Sequence, residues 1–152
     1  MHSLGGLVVK KALALSHKNW HKRLSEIQRN TAGIVFLGTP HHGSDLAALG
    51  SILAKIVSSV QSTNKQVVDI LKRDSEVLAG VNEDFHNFLE SRKEQNDRIH
   101  IVCFYEQLPL LFMKDLVVPK DSAILIGEHN FPIHKNHKVR HLAIIASFKS
   151  FN

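Results

Sequence analysis

Two short apolar runs constrain the chain more than anything else in it: Gly33-Ile34-Val35-Phe36-Leu37-Gly38 and Ile99-His100-Ile101-Val102-Cys103-Phe104-Tyr105. Each is short and carries β-branched and aromatic residues, so each predicts a strand. The first, a continuous apolar run bounded by glycines, predicts one buried on both faces. Between them the spacing turns helical. Residues 45–60 place Leu46, Leu49, Ile52, Leu53, Ile56 and Val57 on one face, with Ser44 or Asp45 as N-cap. Residues 66–78 repeat the pattern with Val67, Ile70, Leu71 and Leu78, and residues 81–93 with Val81, Phe85, Phe88 and Leu89. Strands separated by helices predict an α/β fold with a mostly parallel sheet and flanking helices.

The flanks fill in less sharply. Residues 4–17 predict a helix through Leu7, Val8, Lys10, Lys11, Leu13 and Leu15, followed over 18–30 by a helix end and a loop. Leu116-Val117-Val118 reads as a third, shorter strand, and 123–126 as a fourth or the start of a turn. Residues 139–151 read as a weakly patterned helix. Two strong strands and two weaker ones fall short of the roughly four to six of an ordinary sheet, so the sheet is expected to be incomplete.

At 152 residues the chain is long enough for a single domain, here spanning 1–152. Hydrophobic residues make up 43% and charged residues 22%, which excludes long disorder. No apolar run approaches the roughly 18 residues of a transmembrane helix. The single cysteine, Cys103, excludes an internal disulfide and a multi-cysteine zinc site. No metal or cofactor is expected: no carboxylate or third histidine stands at a usual zinc-ligand spacing from the His41-His42 pair. The net charge of +5 is spread along the chain. Without a basic cluster interleaved with aromatic residues, it argues against a nucleic-acid partner.

Chemistry points to the first residues. Met1-His2-Ser3-Leu4-Gly5-Gly6 runs straight into the first helical pattern. A nucleophile elbow has the form G-x-S-x-G, with the serine held in a sharp strand-to-helix turn that needs small neighbours to close. His2-Ser3-Leu4-Gly5 supplies all of it but the leading glycine, where Met1 stands. Ser3 is then the nucleophile, and the amide of Leu4 the first oxyanion donor, aided by the positive end of the helix. Alone, the same residues read equally as a glycine-rich helix start with Ser3 as N-cap.

Taken in order, HSLGGLVVKKAL, GIVFLGTPHHGS, FYEQLP, LVVPKDSA and the Asn136-His137 pair form a set. It resembles the lipase-like α/β-hydrolase domain of the serine-active-site-containing protein family, and the related hydrolase domains of fungal NTPase-associated proteins. The resemblance spans residues 2 to 138. It implies the C-terminal portion of an α/β-hydrolase fold, with 45–93 in the position of a helical cap. It implies a serine hydrolase of the lipase or esterase kind acting on a lipid or acyl-ester substrate by hydrolysis or acyl transfer. Peripheral membrane association, in mitochondrion or endoplasmic reticulum, goes with it. His137 is the implied base, with His134 behind it and His129 and His141 weaker. Glu106 in F-x-E-x-L-P is the implied acid, with Asp115 in D-L-V-V-P the alternative and Asp121 a distant third. His41 and His42, in the G-T-P-H-x-G-S run, are implied substrate contacts, or else parts of a rigid strand-to-helix turn.

With only Met1 and His2 ahead of Ser3, the strand that leads into the elbow is expected to be missing, and the chain to be a fragment. The alternative function is then a non-catalytic interaction module, or relic, derived from the same fold.

Overall fold

Gly33–Leu37 (β1) and His100–Glu106 (β2) lie side by side and parallel, with Gly33 opposite His100 and Phe36 opposite Cys103. The computed structural model describes residues 1–19, 21–41, 46–59, 75–111 and 113–137. Four longer helices flank the strands: α1 (Leu4–Lys18), α2 (Lys22–Arg29), α3 (Leu46–Ser59) and α4 (Ser75–Glu94). A single helical turn, α5 (Lys120–Ala123), precedes a third strand, β3 (His129–Ile133), which runs parallel to β2 on its far side. The described sheet therefore has the order β1-β2-β3 and is wholly parallel, an incomplete α/β fold.

Alternation along the strands explains the core. Ile34 and Phe36 of β1 and Ile101 and Cys103 of β2 point to one face, where Leu13 of α1 and Phe85 and Phe88 of α4 close over them. The expectation of a first strand buried on both faces needs amending, because Val35 and Leu37 on the other side are only half-buried. A second cluster joins Ile52 and Ile56 of α3 to Leu110, Val117, Val118 and Ala123, with Leu4 and Tyr105 against it.

Three segments depart from the sequence reading. The stretch 18–30 contains α2, which its apolar residues conceal: Leu24 and Ile27 face outward, and the inner face is polar. There the Ser16 hydroxyl donates to the Leu24 carbonyl and accepts from the Gln28 N–H at 3.1 Å. The buried Arg92 guanidinium donates to the carbonyls of Gln28 and Thr31 and pairs with Asp97 at 2.8 Å. Hydrogen bonds, not a hydrophobic stripe, dock this helix. Val117 and Val118 are fully buried and Leu116 half-buried, yet the stretch forms no strand, because the Val118 N–H donates to a carboxylate rather than to a neighbouring strand. Residues 120–123 are helical, and the chain then turns through Gly127, at φ 83°, into β3. His129-Asn130-Phe131-Pro132-Ile133 gave no sequence signal as a strand, since it is half-exposed and holds a proline that only an edge position tolerates.

Of the span expected as a cap, α4 lies along α1 over the sheet, while α3 carries Ile52 and Ile56 into the cluster beside Leu4. The helix expected over 139–151 lies outside the described residues, as does most of that expected over 66–78; its last residues, 75–78, open α4.

Candidate active site

Met1 and His2 add no strand to the sheet, only an isolated bridge at His2, yet the turn at Ser3 forms directly after them. Backbone pairing replaces length. The Met1 ammonium donates to the Val35 carbonyl at 2.5 Å, the Leu37 N–H to the Met1 carbonyl at 2.7 Å, and the Ser3 N–H to the Leu37 carbonyl at 2.9 Å. His2 thus stands beside Leu37 as a parallel bridge on the free edge of β1. At Ser3 the backbone reverses at φ 53° and ψ −132°, a left-hand excursion that costs a non-glycine residue roughly 1–3 kcal/mol. α1 begins at the next residue.

The small residues behind the serine have an identifiable use. A Cβ on Gly6 would come within 2.3 Å of the Thr39 side chain, so only glycine lets α1 start this close to the loop after β1. Ser3 occupies the N-cap position, but its hydroxyl makes no capping bond. It lies instead 2.9 Å from His137 Nε2.

His137 follows β3 on a loop held by backbone bonds from Leu108 N–H to the Lys135 carbonyl and from Lys135 N–H to the Ile133 carbonyl, at 3.1 and 2.7 Å. Its Nδ1 lies 2.9 Å from Glu106 Oε2. With an ionised Glu106 the tautomer follows: Nδ1–H donates to the carboxylate and Nε2 accepts the Ser3 O–H. The other carboxylate oxygen accepts the Val118 N–H at 2.8 Å, which fixes the plane of the acid. Ser3, Glu106 and His137 are 7%, 6% and 5% exposed, so water competes little for these bonds. Gly38, at φ 51°, makes room behind the ring; a Cβ there would stand 3.2 Å from His137 Nδ1. On that side a cavity of about 30 Å³, lined by Leu37, Gly38, Phe104 and Ile133 among others, is the size of one water.

The structure therefore brings Ser3, His137 and Glu106 into one line, with the Leu4 amide beside them as the first N–H of α1, one that has no acceptor within its own helix. The alternative acid, Asp115, stands apart: its side chain is 81% exposed and faces Lys55 at 3.7 Å. Asp121 is exposed in the first turn of α5. His134 and His129 are exposed, the latter beside Phe131. His41 does not face a site mouth. It is buried, with its ring edge against Phe36 at 4.6 Å and Nε2 3.6 Å from Cys103 Sγ, because the loop folds inward where the His41 N–H bonds the Ser122 carbonyl. The turn reading of this residue fits better than substrate contact. His42 and His141 lie outside the described residues.

Two contributors went unread in the sequence. The Val118 N–H orients the acid, and only the unusual apolar pair before Pro119 hints at it. His2 contacts His137: its Nε2 lies 2.9 Å from the His137 carbonyl, and the ring centroids are 4.9 Å apart. Burial, and then the neighbouring His137, lower the His2 pKa. Its signal was its place directly before the serine. Among the described residues no three His, Cys, Asp or Glu side chains stand together as metal ligands, and no helix is long and apolar enough to cross a membrane.

Known proteins resemble the chain over most of its length. The chain is 36% identical over 140 residues to Protein SERAC1 of Bos taurus, covering 90% of this chain and 19% of that protein. It is 36% identical over 132 residues to Protein SERAC1 of Danio rerio, and 35% over 140 to that of Homo sapiens. No family model matches, and no solved structure matches. The chain spans about a fifth of the length of the curated relatives it matches. These likenesses support a family resemblance over most of the chain.

Proposed function

We propose that this chain carries the catalytic residues of a serine hydrolase of the lipase or esterase kind. The observation that carries the reading is the pair of 2.9 Å contacts, Ser3 Oγ to His137 Nε2 and His137 Nδ1 to Glu106 Oε2, on a serine whose φ is 53°. The chemistry follows from the geometry. Ser3 Oγ attacks the ester carbonyl as its proton passes to His137 Nε2, and Glu106 stabilises the imidazolium. The oxyanion takes the Leu4 N–H. His137 returns the proton to the leaving alkoxide. Water, or an acceptor alcohol, then attacks the acyl-serine by the same route, giving hydrolysis or acyl transfer.

An apolar acyl group suits the surroundings, since Leu4 packs against the apolar cluster that contains Ile52, Ile56 and Leu110. A lipid ester, reached from a membrane surface of mitochondrion or endoplasmic reticulum, is the substrate class in keeping with the resemblance. Peripheral attachment would be the mode of approach.

A second reading, a non-catalytic interaction module, draws on the burial of Ser3 at 7% exposure. A fluorophosphonate probe separates the two. The hydrolase reading expects stoichiometric labelling of the chain that vanishes in Ser3→Ala and His137→Ala. Absence of labelling at Ser3 at millimolar probe removes it.

A further inference from the structure

We propose that His2 is a positioning residue that holds the base against the nucleophile, an inference that rests on the hydrolase reading of Ser3 and His137. The carbonyl of His137 can only accept, so His2 donates its Nε2–H to it, at 2.9 Å. This bond ties residues 135 apart in sequence. The His2 backbone is itself fixed, by its bridge to Leu37 and by the Gly5 N–H bonded to its carbonyl at 3.0 Å. One residue therefore sets both ends of the reacting pair: its main chain carries Ser3, and its side chain carries the loop of His137.

His2 adds a tie at the base itself. Its backbone bonds to the sheet run through Ile133 and Lys135, two residues short of the base. At His137 the ring is held by Glu106 and the main chain by His2. Without His2 the ring still has its acid, but its plane and its distance to Ser3 Oγ are free to shift. A misplacement of about 1 Å at a reacting atom costs on the order of 10²-fold in rate.

Two substitutions divide the hydrogen bond from the ring. His2→Phe keeps a ring beside His137 and loses the donor. His2→Gln loses the ring and keeps an amide donor near the Nε2 position. Labelling by the fluorophosphonate, resolved into inactivation rate and probe affinity, is expected to slow by about 10- to 100-fold in rate for His2→Phe with affinity held within about twofold. His2→Gln should restore most of that loss. The low-field proton resonance of His137 Nδ1–H, assigned by its disappearance in His137→Ala, gives an independent readout. It is expected to exchange with water faster in His2→Phe than in wild type or His2→Gln. Equal rates and equal exchange in His2→Phe and wild type would overturn the proposal, as would full loss in both variants. If wild type itself is not labelled, the hydrolase reading fails, and the exchange comparison alone decides whether His2 holds the loop.

Discussion

Lys10 offers the sharpest test of the packing. It lies on the inner face of α1, 1% exposed, with Nζ 5.7 Å above the Phe36 ring, 5.5 Å from that of Phe85, and 2.7 Å from its acceptor, Asn82 Oδ1. Among the described residues no carboxylate pairs with it. Burial accordingly lowers its pKa from 10.5 to about 7, with Cys103 opposing weakly. Between those two values the unfolded chain binds a proton that the folded chain does not, so stability rises with pH across that window and is flat below it. The full window is worth on the order of 5 kcal/mol, and its part from pH 7 to pH 9 about 2 kcal/mol, since the folded amine is half-protonated at its own pKa and the slope reaches 1.36 kcal/mol per pH unit only above it. Cys103, pushed up by burial to about 11, has the opposite sign above pH 9, so the window below 9 isolates the amine. Lys10→Met removes the titration and keeps most of the volume. It forfeits the bond to Asn82, worth about 1 kcal/mol. Urea denaturation should find the variant more stable by roughly 2–4 kcal/mol at pH 7, with that advantage falling by about 2 kcal/mol at pH 9. The lowered pKa values of the Met1 ammonium and His2 are common to both proteins and cancel in the difference. A difference between the two proteins that does not change from pH 7 to pH 9 would show that the amine is hydrated in the folded state, and would refute the burial argument.

Two further substitutions test the site. Glu106→Gln should lower the labelling rate at Ser3 by on the order of 10³-fold or more, because a neutral amide favours the wrong imidazole tautomer and cannot stabilise the imidazolium, whereas Asp115→Asn should leave it within about twofold. Comparing the two variants in one labelling series decides which carboxylate is the acid. Gly38→Ala should damage rate more than fold. The left-handed φ of 51° costs alanine about 1 kcal/mol, but a methyl 3.2 Å from His137 Nδ1 pushes the ring off Ser3, so labelling is expected to slow at least tenfold while Tm drops by only a few degrees.

How much of this was legible depended on which force set each element. Where burial of apolar surface did so, the period was plain: β1, β2 and α1 lie within a residue or two of their expected bounds, and α3 and the latter part of α4 lie along their expected stripes. Where hydrogen bonds did so, the pattern was silent or misleading. α2 docks through Ser16, Gln28 and Arg92 and shows its leucine and isoleucine to solvent. Val117 and Val118 look like a strand because they are buried, yet the amide that would join a ladder serves Glu106. β3 is an edge strand with proline in it and carries almost no apolar signal. The grouping of Ser3, Glu106 and His137 came from the order of short motifs rather than from periodicity. His2 escaped notice because the role of a residue before a nucleophile depends on what its side chain meets 135 positions away.

The site is a consequence of register as much as of residue identity. All the described strands are parallel, so their carboxyl ends share one edge of the sheet, and the proposed site groups sit there: Ser3 after the bridge of His2 to β1, Glu106 as the last residue of β2, and His137 four residues beyond β3. Leu37 opposite Phe104, and Glu106 opposite Ile133, set how far each strand end projects. Because side chains alternate, sliding β2 by one residue would present Tyr105 or Gln107 where Glu106 now meets His137, and would turn Cys103 and Ile101 out of the core shared with Phe85 and Phe88. The apolar packing that holds β2 in register is therefore the same packing that aims the carboxylate. A core substitution such as Ile101→Ala would be felt at His137 only if it let the strand slip, which is why the acid can stand at a strand end without a rigid loop of its own.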